Sequence, residues 1–220
     1  MHAYKFLDAN FGLKSLYERR LKQSRVSELN DPFEQRPYDL TDASLREAFL
    51  KTREQLSGAR GMVCFSSGWC DPVIWAHYSD KHRGLCLGFE IPDIKGDVEN
   101  DECAFVSYIK DPLDFPLAFS KLGETERFEI IQRILFTKFK HWEYEREVRL
   151  WVPLQLEVSG LHFLEFGENL RIAVVIVGAR CALTRSEIIR ALGPSAGGVK
   201  IIKAREAYDG FAMVEDEGWN

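Results

Sequence analysis

No long apolar run interrupts this chain of 220 residues. The longest, Ile172 to Val177, falls far short of the ~20 residues a membrane-spanning helix needs, so no membrane partner is expected. An excess of positive charge is also missing. Lys and Arg number 29 against 34 Asp and Glu, a formal charge of −5, which gives no general attraction to duplex DNA or RNA, although a local basic groove stays open. The start, Met1-His2-Ala3-Tyr4-Lys5-Phe6, lacks the apolar core and small-residue cleavage site of a secretory signal, and a cytoplasmic location is expected. Cys-x-x-Cys pairs are absent among Cys64, Cys70, Cys86, Cys103 and Cys181, which are read as reduced thiols. Irregular gaps separate Cys70, His77, His82 and Cys86, and no metal is expected there. Internal repeats and low-complexity segments are lacking too. What remains, with 45% apolar residues, is a chain able to bury a full core, read as one domain over residues 1–220.

Tyr4 to Leu7 reads as a strand, followed by an amphipathic helix with Leu13, Leu16, Tyr17 and Leu21 on one side. Asn30-Asp31-Pro32-Phe33-Glu34 reads as a fixed turn, because Asx residues before proline favour one. Thr41-Asp42 caps a helix ending near Gly58, with Leu45, Phe49, Thr52 and Leu56 as its buried stripe. Met62 to Phe65 is a strand, and Asp71-Pro72 opens a short helix that Gly84 closes. Leu85 to Ile91 and Ala104 to Tyr108 read as strands paired across a charged turn from Asp93 to Glu102. The longest helical pattern runs from Glu124 through Phe128, Ile131, Leu135, Phe139 and Trp142. From Glu147 the period changes to two, with Val148, Leu150 and Val152 toward the core. Leu161 to Phe166, Ile172 to Val177, Val199 to Lys203 and Phe211 to Val214 complete the strands. A capping box, Thr184-Arg185-Ser186-Glu187, opens a helix that Gly193-Pro194 stops. Scattered strands with separate helices indicate an α+β fold, with split mixed or antiparallel β-sheets flanked by helices.

Three segments could carry chemistry. In an extended chain Glu145, Glu147 and Arg149 share one face, opposite the core-directed Val148 and Leu150. That row faces either bulk water or a cleft, and Trp142, Tyr144 and Trp151 beside it could wall a pocket. On the helix after Asp71, Trp75 and Tyr78 lie three apart. They are either core, with His77 an ordinary surface or hydrogen-bonded residue, or a stacking platform for a planar ring, with Ser66 donating to it. The Asn30 to Glu34 segment is either a self-capped turn with a buried phenylalanine or a site for ribose hydroxyls or a metal.

Taken in order, Tyr4 to Phe6, Asn30 to Glu34, Cys64 to Ser66, Trp75 to Tyr78, Gly84 to Phe89 and Trp142 to Arg149 resemble a bacterial family, domain of unknown function 2971. A more distant resemblance is to ADP-ribosyltransferases: Lys5 on the first strand, Ser66 with Tyr78 midway, and the late Glu145-x-Glu147 take the corresponding places. Lys5 stands where His or Arg is more usual. This resemblance implies a split β-sandwich with a ligand cleft and NAD as substrate.

On that basis the expected reaction is cleavage of the nicotinamide–ribose bond, by an ADP-ribosyltransferase or NAD glycohydrolase. Glu147 would stabilise positive charge on the sugar and Glu145 would position or activate the acceptor, which is water, a protein or a nucleic acid. Tyr78 would stack on nicotinamide, and Lys5 and Arg149 would hold phosphate or ribose oxygens, with Ser66, Trp75, His77, Asn30 and Glu34 lining the dinucleotide site. The alternatives are a metal-dependent hydrolase or nuclease using Asp31, Glu34, Glu145 and Glu147, and a non-catalytic protein-interaction module.

Overall fold

The computed structural model describes residues 1–91, 102–116 and 122–219. In chain order the strands begin with β1 (His2–Leu7), β2 (Arg20–Gln23), β3 (Arg60–Ser66), β4 (Leu85–Glu90), β5 (Glu102–Phe105), β6 (Ser107–Ile109) and β7 (Thr137–Phe139). They continue with β8 (Glu147–Pro153), β9 (Glu157–Val158), β10 (Leu161–Glu165), β11 (Arg171–Val177), β12 (Lys200–Glu206) and β13 (Met213–Glu215). The helices are α1 (Ala9–Glu18), α2 (Ala43–Ala59), α3 (Pro72–Tyr78), α4 (Glu124–Phe136) and α5 (Arg185–Leu192). The class is α+β, as the pattern of elements indicates. By contact density the chain forms two compact units: Met1–Lys22, Cys64–Lys95 and Phe163–Asn220 make the first, Gln23–Val63 and Gly96–His162 the second.

In the first unit β4 is flanked on both edges, pairing antiparallel with β1 on one side and with β11 on the other. β12 runs parallel to β11, and β13 closes antiparallel onto β12. A parallel pair needs a crossover, and α5 lies in the connection between β11 and β12. Leu85, Cys86, Leu87 and Phe89 of β4 and Val175, Ile176 and Val177 of β11 are all 0% exposed, so both faces are covered and neither strand alternates. A Cβ on Gly84 would sit 2.0 Å from the Leu7 carbonyl oxygen. Gly84 is therefore required by the close approach of β1; it does not end α3, which stops at Ser79.

In the second unit β5 pairs antiparallel with β8, and β6 pairs parallel with β7. The expected hairpin between the strands at 85–91 and 104–108 is thus not formed: β4 has β1 and β11 as partners, and β5 has β8. The charged turn expected between them lies outside the described residues except for Glu102. An apolar cluster of Tyr38, Leu40, Phe49, Ile130 and Ile134 joins α2 to α4. Within the stripe expected on α2 only Phe49 is buried; Leu45 and Leu56 are half-buried and Thr52 is exposed.

Local signals set most helix ends. Asp42 accepts the Leu45 N–H, Asp71 accepts the Val73 N–H ahead of Pro72, and Thr184 and Glu187 close their reciprocal box. Two helices are shorter than their apolar period. α1 ends at Arg19, in the left-handed region at φ 53°, which leaves Tyr17 55% exposed and hands Leu21 to β2. α4 ends at Phe136, and Thr137, Lys138 and Phe139 extend as β7 because they pair with β6. The expected last strand begins at Met213, and Phe211 is fully exposed before it. Among the described residues no helix is long and apolar enough to cross a membrane.

Candidate functional site

A group of ionised side chains is buried in the second unit. The 3-10 turn Lys140–Glu145 brings Glu145 to the start of β8, and Arg146, left-handed at φ 44°, redirects the backbone into Glu147, Val148 and Arg149. Glu145 is 7% exposed, Glu147 3% and Arg149 0%, so the acidic row is interior and does not face bulk water. Two-sided burial of β8 removes the alternation that would have put these residues outside, since Val148 is buried as well.

Charge pairing is what lets these groups leave water. The Lys138 ammonium lies 3.0 Å from Glu34 Oε1, 2.6 Å from Glu145 Oε2 and 3.3 Å from Glu147 Oε2. The Arg149 guanidinium donates from Nε to Glu147 Oε1 at 2.8 Å, and from Nη2 to Glu147 Oε2 and Glu34 Oε2, each at 3.0 Å. Its Nη1 donates to the Leu135 carbonyl at 2.5 Å. Burial by itself pulls the Lys138 pKa down, but the attraction of Glu147, Glu34 and Glu145 outweighs it, and the net shift is upward. The ammonium therefore stays charged. Tyr108 Oη accepts the Glu147 N–H at 2.8 Å, and burial, aided by the negative charge of Glu147 and Glu145, pushes its phenol up to about 12.

Glu34 reaches this cluster because of the turn before it. Asp31 Oδ1 accepts the Phe33 N–H at 2.8 Å, the Glu34 N–H donates to the Asp31 carbonyl, and Gln35 takes φ 60°. The result is a self-capped turn that sends Glu34 inward, 3% exposed, and Phe33 outward, 65% exposed. The self-capped turn is thus formed, but its phenylalanine lies at the surface and is not buried.

A cavity of about 250 Å³ opens beside the cluster, and Lys138 belongs to both. Phe33 and Phe139 give it aromatic walls, Arg36 and Lys110 bring positive charge, and Asp111 one carboxylate. The Arg36 guanidinium carbon lies 5.6 Å from the centre of the Phe33 ring. Lys138 went unnoticed in the sequence because Phe139 and Trp142 prolong the helical period across it. No local signal marks the aromatic mouth.

Of the residues proposed from sequence, Glu34, Glu145, Glu147 and Arg149 are brought together. Asn30 is exposed and lines a different cleft. The remaining five belong to the first unit. Lys5 Nζ donates to the Cys64 carbonyl at 3.0 Å, and Ser66 Oγ accepts the Gly68 N–H at 3.2 Å. Trp75 is 0% exposed, donates to the Trp69 carbonyl at 2.6 Å and meets Phe6 edge-on, so it is core and has no open face for a ligand. His77 is exposed and Tyr78 half-buried, their rings edge to face at 6.2 Å. Among the described residues no three His, Cys, Asp or Glu side chains are arranged to hold a metal ion.

Residues 74–150 match the sequence profile of a family described as a protein of unknown function, DUF2971. That span contains most of β8 and the segments 75–78, 84–89 and 142–149. It does not reach the segments 4–6, 30–34 and 64–66, which also carry the resemblance. No curated protein and no solved structure matches the chain.

Proposed function

We propose that the chain cleaves the nicotinamide–ribose bond of NAD, as an NAD glycohydrolase or an ADP-ribosyltransferase, using the carboxylates of Glu145 and Glu147. The observation that carries this reading is the convergence of carboxylates in the buried cluster. The carboxylates of Glu34, Glu145 and Glu147 converge there on the Lys138 ammonium, in a place sheltered from water. When the C1′–N bond breaks, its electron pair leaves with the ring as neutral nicotinamide and positive charge develops on the sugar. Carboxylate oxygens fixed in a water-poor site lower the energy of that state. Water, or a hydroxyl of an acceptor protein or nucleic acid, then adds to C1′ and gives its proton to a carboxylate.

The geometry favours a division of labour different from the one expected from sequence. Both Glu147 oxygens accept from Arg149, and one also from Lys138, so Glu147 acts through the cations it fixes. Glu145 is the carboxylate we assign to the sugar and its acceptor. Phe33 and Phe139 offer faces for a planar ring, and Arg36 and Lys110 positive charge for phosphate oxygens. The likeness to ADP-ribosyltransferases rests on the placement of Lys5, Ser66, Tyr78 and Glu145-x-Glu147 along the sequence. A metal-dependent hydrolase is the weaker reading. The carboxylates of Glu34, Glu145 and Glu147 converge on an ammonium, so the point a hard cation would occupy already carries positive charge, and Asp31 is turned to the Phe33 N–H. Replacement Glu145→Gln keeps the shape and removes the charge. It should lower nicotinamide release by about 100-fold or more while the circular dichroism spectrum is retained. Release at the native rate by a folded variant would overturn the assignment.

A further inference from the structure

The second unit has another cleft, of about 720 Å³, between the turn around residues 25–32 and one side of α2. We infer that it binds a sugar phosphate, with the phosphate on Arg25 and Arg53 and the sugar hydroxyls on Glu54, Asn30 and the serine pair Ser27 and Ser57. This inference does not rest on NAD cleavage.

Two guanidinium groups bring positive charge to the cleft. Arg25 Nη2 lies 2.8 Å from His162 Nε2, and His162 Nδ1 lies 2.8 Å from the Gln155 carbonyl oxygen. An arginine only donates, so Nε2 accepts and Nδ1–H donates to the carbonyl, and the partner that aims Arg25 is a neutral ring. Among the described residues its positive charge is therefore left uncompensated, and its Nε is buried with no hydrogen-bond partner. Arg53 has no carboxylate within salt-bridge distance among the described residues. Burial first, then the like charge of Arg36, pulls its pKa down, with only Glu34 opposing. Two cations without a counter-ion among the described residues attract a phosphate, which guanidinium binds in bidentate fashion.

The remaining lining selects what the phosphate is attached to. Ser27 Oγ and Ser57 Oγ stand 3.3 Å apart, giving a pair of hydroxyls that both donate and accept. Asn30 adds an exposed amide, and Glu54 a carboxylate that can only accept. A carboxylate beside a phosphate subsite is repulsive unless the ligand brings hydroxyl donors to it, as a sugar does. Leu50, 54% exposed, supplies an apolar wall, and the volume lies within the range of small-molecule sites.

Calorimetric titration of the full chain with ribose 5-phosphate, ribose, inorganic phosphate and adenosine monophosphate tests this. Ribose 5-phosphate should bind more tightly than ribose or phosphate. Arg53→Gln should weaken it by about tenfold or more, and Glu54→Gln should weaken ribose 5-phosphate while leaving inorganic phosphate unchanged or tighter. Ser57→Glu, a surface change on α2 that adds negative charge, should also reduce binding. Amide resonances of residues 25–30 and 53–58 should shift on titration. Tighter binding of adenosine monophosphate would support the inference and assign the sugar phosphate to a nucleotide. The inference is overturned if none of the phosphates binds, if inorganic phosphate binds as well as ribose 5-phosphate, or if neither Arg53→Gln nor Ser57→Glu alters the affinity.

Discussion

Replacing Lys138 by methionine keeps much of the side-chain volume and removes the ammonium that joins Glu34, Glu145 and Glu147 at 3.0, 2.6 and 3.3 Å. The buried carboxylates would lose those three contacts, while Arg149 keeps its pairs with Glu34 and Glu147. Breaking a buried ion pair by removing one partner costs about 3–5 kcal/mol, because the charge left behind is no longer compensated. For a chain of 220 residues each kcal/mol moves the melting temperature by about 2–4 °C, so the variant should melt roughly 6–20 °C lower. Urea unfolding with the circular dichroism signal gives the free energy. Lys200→Met is the control: Lys200 lies 2.6 Å from Glu215, but the two side chains are 62% and 40% exposed, and its loss should stay under about 1 kcal/mol. The pH dependence has a definite sign. In native protein the Lys138 pKa is raised above that of the unfolded chain, so its contribution is complete at neutral pH and is lost only as pH climbs past about 10.4. In Lys138→Met the folded state gains most from taking up a proton, so its deficit should narrow on acidification from about pH 8 to pH 5. Equal, small losses in Lys138→Met and Lys200→Met would refute the reasoning.

Tyr108 should ionise near 12 rather than at the usual 10, seen as the difference between alkaline absorbance titrations of native protein and Tyr108→Phe. A phenol pKa raised in the folded state means that this stabilisation is intact below about pH 10 and lost toward pH 12; a difference centred at 10 would contradict the buried setting. Gly84→Ala should destabilise by roughly 3 kcal/mol or more, since its Cβ would lie 2.0 Å from the Leu7 carbonyl oxygen. Gly58→Ala, with nothing within 4 Å and a helical conformation in α2, should stabilise by a few tenths to about 1 kcal/mol, and chemical unfolding of both variants checks the pair.

What the sequence displays depends on how far apart the interacting residues are. Asp42, Asp71 and the Thr184–Glu187 box announce their helices because cap and helix are neighbours in the chain. The run from Ile172 to Val177 announces a strand covered on both faces. Strand partners are not written locally: β4 reads as half of a hairpin, but its edges are satisfied by β1 and β11, which lie far off in sequence. Lys138 is hidden for the same reason. Apolar residues at three- and four-residue spacing extend past it, while the pairing with β6 that straightens the chain into β7 and the carboxylate partners of Lys138, one of them 104 positions earlier at Glu34, come from elsewhere in the sequence. Spacing displays the acid row but not its burial, because alternation reports one covered face and β8 has two.

The proposal that the buried carboxylates serve NAD cleavage is tested most directly by chromatography of nicotinamide after incubating the purified chain with NAD, with and without cell extract as a source of acceptors. Nicotinamide should appear in many-fold molar excess over protein in at least one of these mixtures, and be lost with Glu145→Gln. Nicotinamide at the level of protein-free controls in both mixtures would contradict it.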